Sequence, residues 1–264
     1  MSNLLRRSFS GIIFVLVFVF AILFSEYSYI VLTTIFGLLC IWEFTKMIEF
    51  KGLISYIFFG LTVFLFLKRP ESYGVTVILI ITLLSSIYLI YQLYTKKEIT
   101  FRTDRSKLGI TIRYLIFSLS FLVLIPFYNE EYHPYLILNI LVLIWVNDSF
   151  AFLVGKNFGK RKLFESVSPK KTIEGFLGGA IFSLIAVFII SKYLTIFSTL
   201  NWMIISVIIS SIGTIGDLIE SKFKRQANIK DSGTIMPGHG GILDRLDSLL
   251  FVAPFVYLYI NYII

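Results

Sequence analysis

The segment Tyr135–Val154, YLILNILVLIWVNDSFAFLV, reads as one helix long enough to cross a bilayer, with a single acidic residue, Asp148, set in it. At about 1.5 Å per residue, a run of this length covers about 30 Å, the thickness of the hydrocarbon layer. An aspartate in such a run costs a few kcal/mol unless it is paired or hydrated. The stretch that sets the fold therefore also marks a site.

On either side of it, apolar runs of comparable length occupy 8–24, 29–45, 53–67, 75–94, 109–127, 174–197, 202–220 and 242–263. With 135–154 they give nine predicted crossings, of which 53–67 is the weakest. A chain with 57% hydrophobic and 15% charged residues is not a soluble domain. The expected fold class is all-α, a polytopic integral membrane helical bundle of about nine transmembrane helices.

Charge orients the bundle, because cytoplasmic loops collect Lys and Arg. With the N-terminus cytoplasmic, 21 of the 24 cations fall on the inner side, leaving Lys68, Arg69 and Lys192 outside. The predicted outer loop Tyr128–Pro134 (YNEEYHP) is acidic, so the net charge of +8 belongs to one face. Orientation alone accounts for most of these cations. Arg6 and Arg7 ahead of an apolar run imitate a secretory signal, but no small-residue cleavage pattern follows Phe24, so the segment reads as a retained helix. Cys40 is the only cysteine, and His133 and His239 are the only histidines. An intrachain disulfide and a cysteine- or histidine-rich zinc site are excluded, and any metal must be held mainly by oxygen.

The two halves differ. Residues 1–140 read as transmembrane scaffold helices, nearly free of intramembrane charge. Glu43, between Trp42 and Lys46, is expected to snorkel to the interface. Residues 141–264 read as the catalytic transmembrane region, with three polar clusters at the cytoplasmic side. The first is Asn147-Asp148-Ser149. The second runs from Gly155-Lys156 through Gly159-Lys160-Arg161-Lys162 to Ser168-Pro169-Lys170-Lys171-Thr172 and Glu174-Gly175. Ser168 or Thr172 can cap the helix starting near Glu174, and paired lysines beside a helix N-terminus suit an anion. A basic loop resting on anionic headgroups is the alternative.

The third cluster extends from Gly213 to Asp247. Asp217 and Glu220 are three apart and Asp217 and Ser221 four apart, so their oxygens share a helix face. Asp244 and Asp247 repeat the spacing at the start of the last helix, after the turn Pro237-Gly238-His239-Gly240-Gly241. Carboxylates from two helix ends can meet one divalent cation, and hard oxygen ligands with room for water and phosphate favour Mg²⁺ over zinc. Helix capping and Asp–Arg or Asp–Lys pairing would use the same acids.

Ser221-Lys222-Phe223-Lys224-Arg225, Lys230-Asp231-Ser232-Gly233, Pro237-Gly238-His239-Gly240-Gly241 and Asp244-Arg245-Leu246-Asp247-Ser248 together resemble the signature of phosphatidate cytidylyltransferases, also called CDP-diacylglycerol synthases. The second cluster resembles another block of that family. The likeness covers the C-terminal half; the first 140 residues match only as membrane helices. Met236, where the family usually has Leu, Ile or Phe, and Phe164-Glu165, in a stretch that often carries proline, depart from the pattern.

The resemblance implies the reaction of CTP with phosphatidate to give CDP-diacylglycerol and pyrophosphate, at the inner (cytoplasmic) membrane, with the active site facing the cytoplasm. It implies Mg²⁺ on Asp217 and Asp244, with Asp247 as a ligand or just behind them, and allows a second, monovalent cation such as K⁺. Asp217, Asp244, Asp247, His239, Lys224, Arg225 and Arg245 are the expected catalytic group. Asp148, Lys170, Lys171, Ser221, Lys230, Asp231, Gly240 and Gly241 are expected to bind substrate, with Gly240 and Gly241 letting backbone N–H groups approach phosphate. No nucleic-acid partner is expected, and a homodimer is compatible with the sequence. A CTP-dependent polyprenol or dolichol kinase and an ion-coupled transporter are the alternatives, the latter expected to place acids near the bilayer midplane.

Overall fold

The computed structural model describes residues 3–95, 98–193 and 196–264, with side chains from residue 9 onward. Lys96, Lys97 and the side chains of Arg6 and Arg7, all counted among the inner cations, lie outside the described residues. Among the described residues nine continuous helical runs overlap the nine predicted ones, the run predicted at 174–197 ending early, at Ile190. They are α1 (Asn3–Phe24), α2 (Glu26–Met47), α3 (Ile54–Lys68), α4 (Tyr73–Tyr94), α5 (Asp104–Leu124), α6 (Pro134–Phe158), α7 (Ile173–Ile190), α8 (Thr199–Gln226) and α9 (Leu243–Tyr262).

Six of these, α2 and α4 to α8, are long and apolar enough to cross a membrane. The apolar parts of α1 and α3 are shorter. The first turn of α9 is charged, with Asp244, Arg245 and Asp247. Among the described residues the strands are limited to two antiparallel hairpins, β1 (Phe127–Tyr128) with β2 (Glu131–Tyr132) and β3 (Lys162–Phe164) with β4 (Ser168–Thr172). The all-α expectation holds.

Local chemistry sets the boundaries. Ser25 and Ser28 form a reciprocal capping box at the start of α2, and Thr103 and Ser106 do so for α5. Pro134 opens α6, where its missing N–H costs nothing. Thr172 accepts from Gly175 N at 3.1 Å and so is the predicted cap of α7. Asn129 and Glu130 both take positive φ, which closes the β1–β2 turn.

Both α5 and α8 contain a π-turn, at Thr111–Ile116 and Ile209–Gly213. Such a turn adds a residue and rotates the helix beyond it. α6 and α7 pack side by side because small residues line the seam. A Cβ on Gly179 would lie 2.6 Å from Asn147 O. Between α7 and α8, Ser183 and Ser206 bond at 2.8 Å inside the core, a polar tie between apolar helices.

The connections sort to two ends. At one, Lys107 Nζ donates to Glu49 O, Gln226 and Ile99 bond to each other, and Ser10 reaches Pro237. At the other, Tyr132 OH donates to Ile22 O and Tyr128 packs on Phe197. The basic loops thus share one end and the acidic hairpin lies at the opposite one. Beneath the basic end, Phe44, Tyr114 and Phe223 pack with ring centroids 5.2 to 5.4 Å apart, giving the site an aromatic floor.

Candidate active site

The last third of α8 and the first turn of α9 lie against each other over this floor. Asp217, Glu220 and Asp247 bring one carboxylate oxygen each to within 4.8 Å of the others. Two cations from different elements flank them: Lys171, on β4, pairs with Asp217, and Lys224 pairs with Glu220 one turn earlier on α8. Ser221 donates to Asp217 Oδ1 at 3.2 Å, as its four-residue spacing predicts.

Glu220 is 1% exposed and its Oε1 has no hydrogen-bond partner, while Lys224 stands against Oε2. A buried carboxylate oxygen without a donor is costly. Three acids that bring an oxygen each this close together form a donor set suited to a hard divalent cation.

Asp244 joins this trio through Lys224, whose Nζ reaches both Glu220 Oε2 and Asp244 Oδ1, but it is not one of the three acids with mutually close oxygens. Its Oδ1 accepts from Lys224 Nζ at 2.6 Å, and its Oδ2 accepts from Ser232 N, Ser232 Oγ and Gly241 N at 2.7 to 2.9 Å. Protein donors compensate its charge, and it ties the loop 227–242 to the start of α9. Gly240, at φ +90°, lets the turn pass this carboxylate, since a Cβ there would lie 2.5 Å from Oδ2. The Gly241 N–H points inward to Asp244 rather than toward a pocket.

Glu43 corrects the sequence reading. It does not snorkel: its side chain is fully buried and accepts from Ser232 Oγ, Ile242 N and Leu243 N at 2.8 to 3.1 Å. The signal was present in α2, where Phe36, Cys40, Glu43, Phe44 and Met47 follow one helical stripe and are all buried, while Trp42 faces outward.

The remaining predicted residues lie on the neighbouring loops and helix ends, and among them Lys170 and Arg225 make no described contact with the trio. An open pocket of about 370 Å³ lies beside it, lined among others by Lys230, Asp231, His239, Gly240 and Arg245. Arg245 Nη2 donates to His239 O at 3.1 Å, and His239 Nδ1 lies 2.8 Å from Ser10 Oγ of α1. No local sequence pattern connects Ser10 with this turn. Asp148 accepts from Asn147 at 3.2 Å and lies in the electrostatic reach of Lys171, Asp217 and Arg245. Lys170 is exposed beside Lys171 on β4, and Arg225 is exposed at the end of α8, where it reaches Ile229 O at 3.4 Å. Glu174 braces the basic loop by accepting from Lys160 N, Arg161 N and Arg161 Nε at 3.0 to 3.1 Å.

Three relatives and one family profile match this chain. A phosphatidate cytidylyltransferase of Bacillus subtilis (strain 168) is 33% identical over 267 residues, 97% of each chain. One of Staphylococcus aureus (strain COL) is 36% identical over 259 residues, 94% of this chain and 95% of its own. One of Staphylococcus saprophyticus is 41% identical over 173 residues, 65% of this chain and 64% of its own. The profile of the cytidylyltransferase family matches residues 5–263, nearly the whole of the sequence, N-terminal helices included. The chain belongs to the cytidylyltransferase family and is a nucleotidyltransferase.

Proposed function

We propose that the chain transfers CMP from CTP to phosphatidate, releasing pyrophosphate and forming CDP-diacylglycerol, at the inner face of the cytoplasmic membrane. The observation that carries this is the meeting of Lys171, Asp217, Glu220, Lys224 and Asp247 at one end of the bundle, next to a polar pocket. A diacylglycerol tail has to stay in lipid while its phosphate meets soluble CTP, so the centre belongs at a membrane surface. Asp217, Glu220 and Asp247 come from the last part of α8 and the start of α9, where the basic loops gather, which favours an enzyme over a transporter. Nine crossings with the N-terminus inside would put that end in the cytoplasm.

In the reaction an oxygen of the phosphatidate phosphate attacks the α-phosphorus of CTP. A new P–O bond forms, the α–β anhydride bond breaks, and its electron pair leaves with pyrophosphate. A phosphate monoester has a second pKa of about 6, so the nucleophile is already anionic and needs little help from a base. Repulsion between two polyanions is the main obstacle.

Lys171, held by Asp217, and the exposed Lys170 would place fixed positive charge where phosphates meet. Lys230 and Arg245 would hold the nucleotide in the pocket, with His239 donating a hydrogen bond to phosphate. Asp217, Glu220 and Asp247 would hold Mg²⁺, and the partnerless Glu220 oxygen fits that role. Such an ion supplies neutralisation of the triphosphate and of the departing pyrophosphate. Asp244, saturated by protein donors, would act by fixing the loop and keeping Lys224 in place.

Purified protein in detergent, given labelled CTP and phosphatidate, should yield labelled CDP-diacylglycerol. Phosphorylation of a polyprenol instead, with no liponucleotide, would favour the kinase reading.

A further inference from the structure

Arg113 lies nine residues into α5, beyond the polar start of a helix apolar enough to cross a membrane. It is exposed, and among the described residues it forms no ion pair or hydrogen bond. An arginine in that position is costly unless it is hydrated or paired with an anion. Its guanidinium folds back over Gly109, where a Cβ would lie 3.3 Å from Nη1. Four residues of helix are about 6 Å, so the charge sits about five residues, or 7–8 Å, from the start of α5 at Asp104. That depth matches the interfacial layer of roughly 5–7 Å on each side of the hydrocarbon.

The guanidinium borders a groove of about 430 Å³ between α4 and the start of α5. Ile81, Leu84, Tyr88 and Leu89 give it a long apolar wall, and Thr100 and Ser106 give it a polar rim near Arg113. No carboxylate lines it, and close by in the sequence Arg102, Arg105 and Lys107 outnumber Glu98 and Asp104. The groove shares no lining residue with the catalytic pocket. One anionic head and one acyl chain match its two ends.

We propose that this groove is a binding site for an anionic glycerophospholipid, its phosphate on Arg113 and an acyl chain along α4, separate from the catalytic centre. The proposal rests on the bilayer setting given above and not on the cytidylyl chemistry, and its test reads binding without turnover.

Native mass spectrometry of the purified full-length protein in detergent, titrated with phosphatidylglycerol, is that test. The wild type should retain one phosphatidylglycerol more tightly than diacylglycerol of the same chains, and inorganic phosphate should not displace it. Arg113→Ala should weaken retention about tenfold, the loss of one charge-assisted contact, and Arg113→Lys should weaken it less. Leu84→Trp, at a position exposed on the outer face of α4, should block the chain end of the groove without touching the charge. If Arg113→Ala unfolds, this variant alone decides. Equal retention of diacylglycerol, displacement by inorganic phosphate, or unchanged retention in both variants would overturn the proposal. So would a fall in the CDP-diacylglycerol synthesis rate of Arg113→Ala without phosphatidylglycerol, because the site would then belong to the catalytic centre.

Discussion

Glu43 Oε2 lies 2.8 Å from the backbone nitrogen of Leu243, so a carboxylate of the second helix caps the last. Ile242, just ahead of α9, offers no side-chain acceptor, and the amide groups of the first turn would otherwise be orphaned in a buried place. The negative charge also sits at the positive end of the helix dipole. Asp244 and Asp247 follow within the next turns, so the position of both acids depends on a residue of the N-terminal scaffold.

Glu43→Ala should therefore destabilise the protein by about 3 kcal/mol, since it leaves buried amide groups without an acceptor. Glu43→Gln should fall between, because its amide keeps one acceptor and turns an NH₂ toward a donor. Thermal denaturation in detergent, followed beside CDP-diacylglycerol synthesis, should show both properties falling in that order. A wild-type melting temperature for Glu43→Ala would contradict the capping role.

Asp244 and Asp217 should respond differently to the same conservative change. Asp244 accepts from four donors, so Asn at this position sets its NH₂ against Lys224, Ser232 or Gly241. Asp244→Asn should lose activity together with one or more kcal/mol of stability, whereas Asp217→Asn should melt like the wild type. Limited proteolysis of the loop 227–242 is a second measure, and it should quicken only for Asp244→Asn.

The helical frame was legible because each long helix is written as an apolar run, and all nine runs carry a helix, although six of those helices are long and apolar enough to cross a membrane. The acids of α8 and α9 were legible as a group, since a three-residue spacing at a helix end leaves them little choice of face. Their division was not. Asp244 and Asp247 look equivalent in sequence, and only the path of Ser232 and Gly241 turns one toward the loop and the other toward Asp217. Glu43 was misread because tryptophan and lysine neighbours suggested an interface, although its buried stripe pointed inward. The contact between Ser10 and His239 joins residues far apart in the chain, and no local pattern encodes it.

The two lysines of β4 separate phosphate positioning from general attraction. Lys171 is half-buried against Asp217 and Lys170 faces solvent, so Lys171→Ala should cut turnover about tenfold or more and Lys170→Ala only a few-fold. Rates at saturating and limiting CTP would read the difference. Equal, small losses rescued by more anionic lipid would assign both residues to headgroup attraction.

Asp217→Asn and Asp247→Asn bear most directly on the chemistry. Each keeps its size and hydrogen-bonding capacity while removing one charge from the trio that includes Glu220. A capping or packing role tolerates this change, because Asn and Asp cap helices about equally well. Cation binding does not, and loss of a metal clamp on a transferring phosphate should cost on the order of 10²-fold in rate or more. Synthesis by the wild type should stop in EDTA and return with added Mg²⁺. Calorimetric titration with Mg²⁺ in the absence of substrate should show binding to the wild type that is weakened in both variants, independent of turnover. Glu220→Gln should behave alike, and its buried amide would then have an unpaired Oε1 but no charge to offer. Wild-type rates and Mg²⁺ binding in Asp217→Asn and Asp247→Asn would leave the trio as a structural ion-pair network held by Lys171 and Lys224.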